Sequence, residues 1–117
     1  MEINLKKPAQ IDIRGNLVEF DTRDYEQVNI LTSKQGTVRG GHYHKKLKET
    51  FYLIEGKAML ETVNVKTKEL TSFDITPGQI FSIEPYTFHT LKMLTDTIFF
   101  IGYTRAFDSR NPDIYIL

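Results

Sequence analysis

His42 and His44 stand two apart in Gly41-His42-Tyr43-His44, Glu49 follows five residues after His44, and His89 comes forty residues later. On a strand, positions i and i+2 project to the same face, so both imidazoles of His-x-His can enter one cavity. The offset to Glu49 is odd and would turn an uninterrupted strand to its other face. Lys45-Lys46-Leu47-Lys48 is polar enough to form a turn or bulge that resets the phase, so that Glu49 opens the next strand facing the same cavity. His89 follows Pro85-Tyr86-Thr87 and has to be delivered by a neighbouring strand. Three imidazole nitrogens and one carboxylate oxygen suit a borderline divalent ion with positions left open. Each residue also has a plainer use. The His-x-His pair can be packed or exposed strand residues, Glu49 a solvent-facing strand start, and His89 a buried histidine bonded to a backbone carbonyl.

Those residues sit in a chain of 117, long enough for one core and too short for two. A single domain over 1–117 is expected, with residues 1–10 as an N-terminal arm and the core over about 28–104. The absence of cysteine excludes disulfides, thiol nucleophiles and thiolate metal sites, so any metal falls to histidine and carboxylate. Fifteen Lys plus Arg balance fifteen Asp plus Glu, which argues against nucleic acid as a partner. Two or three local cations would still serve a small anion. Met1–Gln10 has no apolar run, and no stretch approaches the roughly 18 apolar residues of a membrane span, so a cytoplasmic protein without membrane contact is expected.

The elements that must position the histidines read as strands. Four prolines and seven glycines break the chain into segments too short for typical helices. β-branched and aromatic residues dominate Ile11–Ile13, Leu17–Phe20, Tyr25–Leu31, Phe51–Ile54, Ala58–Val65, Leu70–Ile75, Ile80–Ile83, Thr87–Leu94 and Thr97–Tyr103. A turn is expected at Gly15-Asn16, and one helical turn near Tyr25 is the best helix candidate. The apolar tail Asp113–Leu117 is expected to pack on the body of the protein or on a partner.

The spacing resembles the cupin superfamily. Its first motif runs Gly, five residues, His-x-His, three or four residues, Glu, six residues, Gly, and Gly36, His42, His44, Glu49 and Gly56 occupy every anchor. In the second motif Gly78 and His89 fall at the correct distances, while Glu84, Tyr86 and Met93 stand where the family has Pro, Gly and Asn. The resemblance implies an all-β, single-domain double-stranded β-helix, a jelly-roll barrel. It also implies one divalent transition metal (Zn, Mn, Fe, Ni or Co) on His42, His44, Glu49 and His89.

Val38–Leu47 is similar to the Arg-Gly-x-His-x-His-Lys stretch of sugar-nucleotide cupins, including ketoisomerases of thymidine-diphosphate 4-keto-6-deoxy sugars. Glu49–Gly56 is similar to the metal-binding C-terminal cupin half of capsular-polysaccharide UDP-sugar epimerase/reductases. Metal-free ketoisomerases usually carry Gln where Glu49 stands, so the retained glutamate favours a metal. The implied function is an isomerase or epimerase of a nucleotide-linked keto sugar in polysaccharide biosynthesis. Arg39 and Lys45 would bind substrate, and Tyr86, Tyr103 or Lys45 would transfer the proton. An iron or manganese oxygenase of a small molecule and a non-catalytic sugar-binding module use the same ligands and stay open. A homodimer is expected, because small β-rich folds often cover edge strands with a partner.

Overall fold

The computed structural model describes residues 3–117, so Met1 and Glu2 of the expected arm lie outside the described residues. In chain order the first strands are β1 (Ile3–Leu5), β2 (Gln10–Asp12), β3 (Gly15–Leu17), β4 (Gln27–Ser33) and β5 (Val38–His42). They are followed by β6 (Glu49–Glu55), β7 (Ala58–Asn64), β8 (Leu70–Ile75), β9 (Gln79–Ile83), β10 (Thr87–Met93) and β11 (Thr97–Tyr103). Pairing is antiparallel throughout. One sheet has the order β1-β9-β6-β11-β4, a second β5-β10-β7-β8, and β2-β3 forms a hairpin by itself.

The jelly-roll barrel is not present. The fold is all-β, but among the described residues its three sheets are separate and none closes on itself. A barrel requires a continuous hydrogen-bonded ladder around its circumference. Between β4 and β5 a side chain does that joining instead: Arg39 Nε donates to Ser33 Oγ (3.1 Å) and its Nη2 to the Thr32 carbonyl (3.4 Å).

The core forms where the two large sheets face each other, because the inward residues of each strand alternate with outward ones. Phe51 and Leu53 of β6, Phe99 and Ile101 of β11, Phe81 and Ile83 of β9, and Leu91 and Met93 of β10 are all buried. The rings of Phe51 and Phe81 stack at 5.0 Å, and Phe99 meets both edge-on at 5.9 and 6.4 Å. Burying one such phenylalanine contributes about 1.5–3 kcal/mol. This apolar layer is the platform on which a polar site can be held without collapsing.

Several local expectations shift. The first hairpin turns at Ile13-Arg14, with Asp12 opposite Gly15, rather than at Gly15-Asn16. The Asp12 carboxylate draws the turn inward by accepting the Arg14 backbone N–H (2.8 Å) and guanidinium (2.6 Å). Residues 18–20 lie beyond β3, and among the described residues there is no helix. Tyr25 instead lays its ring against Gly102, where a Cβ would approach to 2.8 Å, and its hydroxyl donates to Asp21. The tail packs on its own chain, with Tyr115 and Tyr43 exchanging backbone hydrogen bonds of 2.9 Å. Among the described residues no helix is long and apolar enough to cross a membrane.

Candidate metal centre

Strand register alone brings the polar residues together in two facing rows. Across the five-stranded sheet, Gln27, Tyr103, Glu49 and Ile83 are successive cross-strand partners. Across the four-stranded sheet, His42, His89, Thr62 and Thr71 are. Residues opposite one another in neighbouring strands share a face, so each row points into the space between the sheets. His44 joins them from just beyond the end of β5, with Tyr43 turned outward to its bridge with Tyr115.

One nitrogen of each histidine and one oxygen of Glu49 lie within 4.8 Å of one another. His44, Glu49 and His89 are buried, and His42 is half-buried. Glu49 Oε1 lies 2.6 Å from His44 Nε2 and 3.5 Å from His89 Nε2. Each of these two rings is oriented from behind. His44 Nδ1 donates to the Asp113 carbonyl (2.7 Å) and His89 Nδ1 to the Thr87 carbonyl (3.1 Å). A carbonyl only accepts, so both rings carry hydrogen on Nδ1 and turn Nε2 toward the cluster, the arrangement that metal-binding histidines use. The donor set therefore fits a divalent transition metal, and the cluster can coordinate one.

Close approach of β5 to β10 makes this possible. The register shifts between His89 and Thr90, and Gly40 sits there with φ +90°. A Cβ at Gly40 would come within 2.6 Å of the His89 carbonyl oxygen, so only glycine lets His42 and His89 meet. Just before β10, Tyr86 occupies the motif's glycine position with φ +62° and donates its N–H to the His44 carbonyl (2.7 Å). The left-handed turn is thus kept without the glycine.

Charge is distributed unevenly among the donors. Burial, reinforced by the neighbouring His89 and His44, lowers His42 to about 4. Burial likewise lowers His89, against the opposing pull of Glu49. Burial is also the largest single influence on His44 and lowers it, but the hydrogen bond and charge of Glu49, with Asp113 behind, outweigh it and the net direction is up. Burial and then the Glu49 charge raise the Tyr103 phenol.

A cavity of about 470 Å³ opens onto the cluster, lined among others by Asn29, Lys46, Tyr103, Arg105 and Phe107. Of the side chains expected to bind substrate or to transfer the proton, Tyr103 is the one that lines it. Tyr86 contributes through its backbone. The Lys45 ammonium lies 4.1 Å from the centre of the Tyr115 ring, and Lys45 does not line the cavity. Arg39, expected to bind substrate, does not line the cavity either, because its guanidinium is occupied between β4 and β5. Lys46 and Arg105 stand in their place. Arg105 and Asp113 were missed by sequence reasoning, since neither belongs to a motif and both reach the site through the irregular segment after β11.

The family described as Polysaccharide biosynthesis C-terminal domain matches residues 10–115. Over 114 residues the chain is 31% identical to the UDP-2-acetamido-2,6-beta-L-arabino-hexul-4-ose reductase of Pseudomonas aeruginosa, covering 92% of this chain and 30% of that protein. The capsular polysaccharide assembling protein CapF of Staphylococcus aureus superposes with a TM-score of 0.74 at 29% identity, over 92% of this chain and 31% of CapF. A 3,4-ketoisomerase from Helicobacter canadensis reaches 0.82 at 15% identity, over 97% of this chain and 87% of that one, a likeness of fold alone. The chain thus spans less than a third of the length of the reductase and of CapF. These neighbours and the buried cluster bear out the cupin resemblance, without the closed barrel that accompanied it.

The titration pattern predicts the proton count of metal uptake. At pH 6.5, the ordinary histidine value, the upward shift leaves His44 mainly protonated and the downward shifts leave His42 and His89 mainly neutral. Binding of Zn²⁺ should therefore release about one proton, and affinity should rise about tenfold per pH unit below the raised pKa of His44. Calorimetric titration in buffers of different ionisation enthalpy measures this. Release of no proton, or binding unchanged by His44→Ala, would contradict it.

Proposed function

The chain belongs to the Polysaccharide biosynthesis C-terminal domain family, and from that membership and the chemistry of the site we propose that it is a carbohydrate-modifying metalloenzyme. The finer reading is an isomerase or epimerase of a nucleotide-linked keto sugar. The observation that carries it is the cross-strand pairing of Tyr103 with Glu49, which puts a protonated phenol beside a four-donor metal cluster at the floor of one cavity.

Moving a carbonyl, or inverting the centre beside it, begins with loss of a proton from the carbon α to that carbonyl and ends with a proton returned to carbon. The negative charge between these steps rests on oxygen and needs electrophilic support. A divalent ion held by His42, His44, Glu49 and His89 would supply that support as a Lewis acid. The ligating histidine nitrogens would have no lone pair left for the proton, so the removed proton would pass to the Glu49 oxygen not on the metal, and its return to carbon falls to another group. Tyr103 meets the requirement: burial and the Glu49 charge keep its hydroxyl protonated at neutral pH, and Asn29 Nδ2 lies 3.4 Å from that hydroxyl as a donor that orients it. It is assigned the delivery of the returning proton. Lys46 and Arg105 line the cavity beside the acidic Glu49, Asp108 and Asp113, and are the cations there available to the diphosphate of a sugar nucleotide. The names of the reductase and of CapF, both tied to sugar nucleotides or capsular polysaccharide, support this substrate class.

Solvent exchange tests the reading. Metal-loaded protein incubated in D₂O with a UDP- or TDP-linked 4-keto-6-deoxy sugar should introduce deuterium beside the carbonyl, detected by mass spectrometry and NMR. Tyr103→Phe should slow that exchange by about 10²–10⁴-fold with metal content unchanged. Dioxygen consumption in place of exchange would point instead to an oxygenase.

The partner is proposed to be a second copy of the chain. Among the described residues the β2-β3 hairpin pairs with no other strand and exposes Ile11, Ile13 and Leu17, and an isolated two-stranded hairpin is at best marginally stable in water. Light scattering should give twice 13.6 kDa, reverting to 13.6 kDa for Ile13→Arg. A wild-type monomer would contradict this.

A further inference from the structure

The turn between His44 and Glu49 has to hold two ligands in phase, yet its backbone N–H groups find no partner within the sheets. The segment after β11 accepts every one of them. Asp113 Oδ1 takes the Lys45 N–H (2.9 Å), and Asp113 Oδ2 takes those of Lys46 (3.0 Å) and Leu47 (2.9 Å). Thr104 Oγ1 takes the N–H of Lys48 (3.0 Å). Bonds from backbone N–H to an ionised carboxylate are stronger than neutral ones, so the Asp113 side chain is the main clasp.

The same residue also holds the ring of His44, whose Nδ1 donates to the Asp113 carbonyl at 2.7 Å. One residue can do both because its φ is +52°, a left-handed conformation that aspartate tolerates better than most side chains. Its place along the chain is fixed two residues later by the paired backbone bonds between Tyr115 and Tyr43, and by the Lys45 ammonium over the Tyr115 ring.

We propose that Asp113 is a positioning residue: through its carboxylate it sets the 45–47 turn, and through its carbonyl the direction of His44 Nε2, so that a strap from the C-terminal side presets the metal site. The inference rests on the reading of the four-donor cluster as that site, and the test separates the two.

Zn²⁺ affinity is measured by chelator competition on the full chain, for wild type, His89→Ala, Asp113→Ala and Asp113→Asn. If wild type and His89→Ala bind Zn²⁺ alike, the metal reading itself fails. If His89→Ala loses binding, Asp113→Ala is expected to weaken it about 10–100-fold, in the range found for outer partners of metal ligands. Asp113→Asn keeps an acceptor oxygen and tolerates the left-handed backbone, so it should recover part of that loss. The visible spectrum of the Co²⁺ form gives a second readout, altered in Asp113→Ala and restored toward wild type in Asp113→Asn. Amide exchange gives a third, faster at residues 45–47 in both variants and unchanged at 51–53. Zn²⁺ affinity and Co²⁺ spectrum equal to wild type in Asp113→Ala would overturn the proposal. Should that variant fail to fold, the same equality in Asp113→Asn, with unchanged exchange at 45–47, would overturn it.

Discussion

A carboxylate taken out of water between two sheets must be given partners, and Glu49 is such a carboxylate. Buried charge without compensation costs several kcal/mol, which the small net stability of a domain this size cannot absorb. The fold answers with imidazoles from the facing sheet, His44 at 2.6 Å and His89 at 3.5 Å. Those imidazoles must in turn be presented at the right atom, so each needs a carbonyl behind it. Asp113 and Thr87 provide one each. From one buried charge the requirements propagate outward to the bulge at Gly40, the left-handed turn at Tyr86 and the strap at Asp113.

The apolar layer and the polar site are parts of the same ladders. On β6 the inward residues run Glu49, Phe51, Leu53, and on β10 they run His89, Leu91, Met93, so each strand is polar at one end and core along the rest. Rigid packing of Phe51, Phe81 and Phe99 fixes the strand register, and the register fixes which donors face each other. A slip of one residue in β10 would turn His89 outward together with Leu91 and Met93, so the core protects the site against misregister. The charge pattern follows from the same geometry: burial pushes His42 and His89 down, while the hydrogen bond and charge of Glu49 push His44 up.

How much of this could be read from the sequence depends on the range of the interaction. The period of two placed His42 and His44 together, and the polar run Lys45–Lys48 correctly marked the phase change before Glu49. The β8 and β11 bounds and most of β7 and β10 were legible because β-branched and aromatic residues cluster between turn signals. Illegible was whatever depends on segments far apart in the chain. Arg39 looked like an anion ligand because it stands beside the motif, but Ser33 and Thr32 claim it. Tyr86, Tyr103 and Lys45 looked equivalent until the pairing of β11 with β6 put Tyr103 alone in the cavity. Asp113 carries no motif, and its role depends on a return of the chain over 69 positions to His44. Whether the sheets close was likewise invisible, since open and closed arrangements bury the same alternating faces.

The central claim is that His42, His44, Glu49 and His89 form a single metal centre. Anomalous diffraction from crystals of the chain grown with Zn²⁺, collected on both sides of the zinc absorption edge, tests it most directly. The account predicts one dominant peak between the two sheets, at about 2.0–2.2 Å from a nitrogen of each histidine and an oxygen of Glu49, with the direct His44–Glu49 contact opened to admit it. Peaks confined to surface carboxylates, with that contact intact, would contradict it.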